Sequence, residues 1–413
     1  MSVRRQMLAA GPAVGLALFG DLSLFAGLVT QLDAAGLTLA QVGILLSVHR
    51  AIRIPANPLV GLLLNRAGRR PLFLLGAVLG VISTALYGVG YGFWPFLAAR
   101  LMWGMAWALL NVGGLTIALD LSTPATRGRL SGLYNMWIWI GYATGPLVGG
   151  LLMDRIGFHA AMLTCAAIQA VGLLPAALLL KETRPPRAPE TARPGPLAAR
   201  LAAHWRSGLE VVRGRPSALR AMALNALVLF GGDGVILATA ALLLEQRLGG
   251  SLGLGVATAS GGLIAARAVL AAAASSSGGR ISDGAVGRRR VLAASLAAGA
   301  LSFGLLATAQ SLPVLLAGVA LSAASSGAAL SVLAAVMGDA VPGERQSAAV
   351  GIYAAAGDIG STCGPAAAFA LLPLVGLAGV YALSALLLLG GLYLLPSDLA
   401  GLQHNHHKIE TKF

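Results

Sequence analysis

The chain has 413 residues, is 57% apolar and only 11% charged, and has a formal net charge of +14. An ordinary soluble domain has about a quarter charged residues, so composition excludes a soluble globular protein. The basic residues are dispersed over several loops with no basic domain, which argues against a nucleic-acid-binding protein.

In chain order, twelve apolar runs are predicted to span a membrane, at 10–32, 40–64, 71–92, 94–118, 130–153, 158–180, 219–244, 252–277, 290–309, 312–337, 347–372 and 375–396. A span needs roughly 20 residues to cross about 30 Å of hydrocarbon. The runs are continuous rather than alternating, so they read as helices and not as barrel strands. The 55 glycines suit close helix packing in lipid. The first run follows Arg4 and Arg5 and reads as a retained span, because no cleavage site with a soluble domain follows it. Cys165 and Cys363 fall inside spans and read as packing residues. Residues 181–218 form a Pro-rich linker in which 197–212 has helix-like apolar spacing, as for a helix on the inner membrane surface. The tail with His404, His406 and His407 reads as unstructured rather than as a metal site.

Lys and Arg set the expected topology. With a cytoplasmic N-terminus, 23 of them fall in inside segments and two, Arg155 and Arg247, in outside loops. That bias places both termini in the cytoplasm.

The chain also repeats itself. Gly61-Leu-Leu-Leu-Asn-Arg-Ala-Gly-Arg-Arg70 returns as Gly279-Arg-Ile-Ser-Asp-Gly-Ala-Val-Gly-Arg-Arg289. Asp21 in the first span echoes Asp233 in the seventh, and Arg50 echoes Arg267. At an offset of 219, Asp120, Gly132, Tyr134, Gly141, Gly145 and Pro146 line up with Asp339, Gly351, Tyr353, Gly360, Gly364 and Pro365. Two related halves meeting at the membrane midplane are the expected consequence.

These loops and spans resemble the major facilitator superfamily of secondary transporters, most closely its drug:proton antiporter branch. The resemblance implies an all-α membrane protein of 12 transmembrane helices in two six-helix bundles. The implied division is an N-terminal bundle at 1–182, a linker at 183–217, a C-terminal bundle at 218–397 and a tail at 398–413. It implies that Gly61, Asn65, Arg66, Gly68 and Arg69 with Asp120 form a conformational latch. Gly279, Asp283, Gly287 and Arg288 with Asp339 form its counterpart. The first copy departs from the family pattern, because Asn65 stands where an acid is expected and brings no charge to a helix end. Gly141, Gly145, Pro146, Gly149 and Gly150 match the family's antiporter motif, and Gly360, Gly364 and Pro365 form a shorter version.

Ionisable residues inside a membrane are functional candidates. Asp21, Asp233 and Asp358 are the candidate proton carriers, and Arg100, which needs a partner there, is the candidate tuner of Asp21. Arg50 and Arg267 either clamp an anionic substrate from both sides or neutralise acids. Arg53, Trp103, Trp107, Asn111 and Trp139 are the remaining candidate substrate contacts.

No ATP-binding loop, metal-ligand cluster or nucleophile elbow is recognisable. The expectation is a transporter and not an enzyme, with no cofactor and no metal, driven by a proton gradient. Its expected partners are a small-molecule substrate, protons and membrane lipid, and it is expected to be a monomer in a bacterial inner membrane. The reading is export of small organic molecules by proton antiport. The alternatives are uptake of an organic anion held by Arg50 and Arg267, and a non-transporting membrane sensor.

Overall fold

A computed structural model of the chain describes residues 3–123, 126–184, 197–248, 253–284, 286–341 and 346–395. Every regular element among them is helical. In order they are α1 (Val3–Gly27), a short α2 (Leu32–Ala35), α3 (Leu39–Ala67), α4 (Arg69–Val89), α5 (Phe93–Asp120), α6 (Arg127–Ile156), α7 (Phe158–Leu179), α8 (Leu197–Arg213), α9 (Pro216–Leu229), α10 (Leu237–Leu248), α11 (Val256–Asp283), α12 (Arg288–Thr308), α13 (Leu312–Ala340) and α14 (Gln346–Gly390).

The twelve expected spans are all present as helix. Ten stretches are long and apolar enough to cross a bilayer, with α9 and α10 joined as one stretch at Pro216–Leu248. The helix α3 is a further span, whose His49, Arg50, Arg53 and Arg66 lower its hydropathy. The 45 residues of α14 are two spans, because Gly376 breaks the helix with φ 65°. A continuous helix of that length would reach about 68 Å, twice the hydrocarbon thickness. The predicted linker helix is also present, as α8, with Val211 and Val212 buried against Ala218, Met337, Val341 and Ala349.

The repeat is written into the backbone. Gly68 and Gly157 turn the chain between consecutive helices with φ of 96° and 79°, and Gly287 and Gly376, each 219 positions on, do the same with 79° and 65°. Residues with a Cβ rarely adopt that region, so the turns demand glycine. The capping box of Thr38 and Gln41, where each side chain meets the other's backbone N–H, starts α3.

By contacts the chain forms two units, Met1–Gly195 with Ala238–Ala266, and Pro196–Leu237 with Arg267–Phe413. In the first, α1 packs on α6 and α7, α4 on α5 and α7, and α3 on α5. In the second, α12 packs on α13 and α14, and α9 on α13 and α14. The contact units therefore part within the seventh and eighth spans as well as at the linker, and the stretch Ala238–Ala266 belongs to the first unit.

Candidate functional site

The first unit encloses a charged cluster. Arg100 on α5 is fully buried, and its Nη1 donates to Asp21 Oδ1 on α1 in an ion pair. Its Nη2 lies 2.6 Å from His49 Nδ1 on α3, and its Nε donates to the Leu45 carbonyl at 2.9 Å. The guanidinium also sits 5.6 Å from the Phe25 ring centroid. Arginine offers only donors, so His49 Nδ1 is the acceptor. Close backbone approach makes this reach possible: a Cβ on Gly104 would lie 2.5 Å from the His49 carbonyl oxygen. Alongside, the Gln169 amide oxygen accepts from Thr84 Oγ1 at 2.8 Å and from the Gly20 N–H at 2.9 Å, and its nitrogen donates to the Gly80 carbonyl at 3.1 Å, tying α7 to α1 and α4.

The other candidates on these helices separate. Arg50 is buried and Arg53 half-buried on α3, following His49. Trp103 and Trp107 are buried, with rings 6.0 Å apart, and Trp103 faces Gly80 of α4. Both side chains are buried, with Asn111 half-buried beyond them. Trp139 on α6 is 47% exposed and pairs with Tyr142 at 5.9 Å.

The second unit holds the related but looser pair. Asp233 lies in a π-helical turn, Phe230–Ile236, between α9 and α10. Arg267 Nη1 on α11 is 3.3 Å from Asp233 Oδ1, and its Nη2 donates to Ser326 Oγ at 3.3 Å. A Cβ on Gly232 would lie 2.6 Å from that Nη2, so the glycine admits the guanidinium. The Asp233 side chain is 29% exposed against 9% for Asp21, which makes it the wetter acid. A cavity of about 10 Å³, lined by Gly232, Ser322, Ser325, Ser326 and Phe303, has room for one water. Asp358 is buried on α14. The π turn was not legible in the sequence, although Gly231-Gly232 is where a widened turn meets least resistance.

At the α3–α4 turn the repeated loop forms a charge network. Arg69 Nε donates to Asp120 Oδ2 at 2.9 Å and its Nη1 to the Leu64 carbonyl at 2.7 Å. The counterpart pair is Arg288 with Asp339, at the same offset of 219, and Arg288 Nη2 also lies 3.4 Å from Asp283. Gly61 and Gly279 lie on α3 and α11, and Arg66 is exposed. The Asn65 side chain lies outside the described residues.

A further member, Glu182, was missed in the sequence, where it reads only as the start of the linker. Its Oε1 accepts from the backbone N–H of Arg69 at 2.9 Å and its Oε2 from that of Arg70 at 3.2 Å, so it caps α4 from the far end of the bundle's sequence. Burial pushes this carboxyl up, and the N–H donors of Arg69, Arg184, Arg70 and Thr183 outweigh it, holding the group below its usual value. Thr183 Oγ1 donates to Asp120 Oδ2 at 3.1 Å and Arg184 Nη1 to the Arg66 carbonyl at 2.7 Å, closing the network.

The glycine motifs are close-packing seams. A Cβ on Gly145 would come within 3.3 Å of Phe19 Cα, and Gly141 and Gly149 meet α1 at the Gly15 carbonyl and Ser23. Gly150 and Pro146 meet the first turns of α11, at Ala257 and Gly261. In the second unit Gly360 meets the Ala226 carbonyl, and Gly364, ahead of Pro365, meets Gly234 of the π turn.

Fold and site together define a multi-pass membrane protein of two related helical halves with charged groups buried among apolar helices. A family model described as Major Facilitator Superfamily matches residues 12–283 and 248–410. The chain belongs to that superfamily, and it is a transporter rather than an enzyme. The tetracycline resistance protein, class C, of Escherichia coli is 29% identical over 171 residues, 41% of this chain and 42% of that protein. The multidrug resistance protein MdtL of Klebsiella pneumoniae is 29% identical over 160 residues, 38% of this chain and 41% of that one. The matched stretch thus spans about two fifths of the length of these curated relatives. A solved bacterial homolog of the human lysosomal transporter Spinster, inward-facing and unoccupied, superposes with a TM-score of 0.71 at 19% identity, covering 97% of this chain and 96% of that one.

Proposed function

We propose that this protein exports small organic molecules in exchange for protons by alternating access, from a bacterial inner membrane with both termini cytoplasmic. The observation that carries the proposal is the buried Asp21–Arg100 ion pair with His49 as its third member. Such a pair is expensive to bury and weak evidence for stability alone. Its place in the middle of a bundle of apolar helices fits a proton-handling centre. The drug-resistance relatives support the same direction of transport.

In the proposed cycle Asp21 takes a proton on the outward-facing side. Arg100 then keeps only neutral acceptors, His49 Nδ1 and the Leu45 carbonyl, plus the Phe25 ring. The weakened tie between α1, α3 and α5 lets the helices rock, carrying the proton inward, where its release accompanies substrate binding. Release of the proton inside restores the pair. Asp233 with Arg267 is the second, wetter acid, and it supports antiport over the anion-uptake reading, because Arg267 already has a carboxylate partner. The latch pairs Arg69–Asp120 and Arg288–Asp339, with Glu182, hold the cytoplasmic ends.

The test is transport in proteoliposomes under an imposed pH gradient, with cationic drugs and organic anions as separate probes. Export is expected to require the gradient, and Asp21→Asn is expected to abolish proton-coupled export. Full coupling in that variant would refute the assignment.

A further inference from the structure

We infer that Asp154 pins the outer gate of the transport path. Its carboxylate holds the first turn of α11 against the last turn of α6, and releasing that turn opens the outer mouth. The inference rests on the transporter topology proposed above, in which α6 ends and α11 begins on the outer side.

Asp154 Oδ2 accepts from the Thr258 backbone N–H at 2.7 Å and from Thr258 Oγ1 at 2.5 Å. The helix α11 starts at Val256, so Thr258 presents one of the N–H groups that a helix leaves unpaired in its first turn. A carboxylate there satisfies the donor and meets the positive end of the helix dipole. The cap comes from a different helix, 104 residues earlier in the chain, and so fixes one helix to another. Gly255 makes room for it: a Cβ at that position would fall on the Asp154 carboxylate.

The surrounding seam explains why one side chain matters. A Cβ on Gly150 would run into the backbone of Ala257 and come within 3.0 Å of Thr258 N. One on Gly261 would run into the Pro146 carbonyl and come within 3.0 Å of Leu147 Cα. This is smooth backbone against backbone, rich in dispersion contact and poor in interlocking. Such a surface parts and re-forms without side chains changing rotamer. The Asp154–Thr258 bonds add the directional hold that sets the closed register. The Gly-Gly end of the motif therefore supplies a separable face, and the acid four residues after Gly150 supplies its catch. No feature of the motif itself points to that acid.

The experiment reads the gate directly, without substrate or proton drive, so its outcome is independent of the antiport reading. Ser260, fully buried on α11 with an unpartnered hydroxyl, is replaced by cysteine in a background where Cys165 and Cys363 are alanine. Labelling by a membrane-impermeant maleimide is followed from outside in intact cells. Asp154→Ala is expected to raise the rate about five-fold or more, the size expected for losing a helix cap. Asp154→Glu is expected to return it toward the parent rate. Should the Ala variant fold poorly, Thr258→Val removes the hydroxyl bond, keeps the N–H bond, and is expected to give a smaller rise. An unchanged rate in the variant that folds overturns the inference. So does labelling that proceeds only from the cytoplasmic side.

Discussion

Replacing Asp21 with Asn tests the buried pair as a physical object, apart from its role in transport. The Arg100 side chain is 1% exposed and that of Asp21 9%, so neither charge has water to fall back on. Removing one partner of a buried ion pair costs about 3–5 kcal/mol, because the other charge is left uncompensated. Arg100 retains His49 Nδ1, the Leu45 carbonyl and the Phe25 ring, all neutral, so the low end, about 3 kcal/mol, is expected. With about 2–4 °C per kcal/mol in larger domains, the midpoint should fall by about 6–12 °C. Arg100→Met alone should also destabilise, by leaving the carboxylate unpaired. The double variant Asp21→Asn, Arg100→Met removes both charges and fills the space with an apolar chain, which is often neutral or stabilising. It should therefore recover most of the loss while remaining inactive in transport. Thermal unfolding of purified protein, followed by intrinsic tryptophan fluorescence, gives the whole double-mutant cycle. A single Asn variant as stable as the parent, or a double variant that falls by the sum of the two singles, would refute the reasoning.

Other expectations follow from particular contacts. The Glu182 carboxyl is held below its ordinary value by backbone donors, so its contribution is complete above about pH 4.3 and is lost as pH falls through the lower folded value. Glu182→Gln should lower the midpoint at neutral pH and flatten the acid limb below about pH 4.3, leaving an unaltered profile between pH 6 and 8. Gly232→Ala places a Cβ 2.6 Å from Arg267 Nη2 and should push the guanidinium off Asp233, at a cost of about 1–3 kcal/mol by overpacking, visible as a lower midpoint and reduced transport. Gly68→Ala combines φ of 96° with a Cβ 2.5 Å from Glu182 Oε2. It should cost about 1–3 kcal/mol from the backbone alone, because φ 96° with ψ 163° is a region essentially reserved for glycine, and Glu182→Ala should relieve only the steric part in a thermal double-mutant cycle.

The spans were legible because hydropathy is a local property. Even α3, with four basic-type residues in it, reads as an apolar run of spanning length. The loop copies and the offset of 219 were legible because a duplicated backbone keeps its turn glycines, and Gly68, Gly157, Gly287 and Gly376 all prove to have positive φ. The need of Arg100 for a partner followed from the cost of a lone charge in hydrocarbon, and Asp21 supplies it. The spacing of Trp103 and Trp107 along one helix was legible, but it cannot say what faces them. In the fold both are buried, with Trp103 facing Gly80 of α4.

The sequence by itself determined the helices, their number and the internal repeat, because these depend on side-chain polarity and glycine at fixed positions along one chain. Only the tertiary structure decided which charges meet. Glu182 caps α4, Asp154 caps α11, and Asp233 sits on a π turn against Arg267. Each depends on the rotation of one helix relative to another and on a side chain reaching a backbone N–H more than a hundred residues away or a guanidinium on another helix. Hydropathy fixes a helix's length and leaves that rotation free, so those contacts are set by close packing of small residues across the seams.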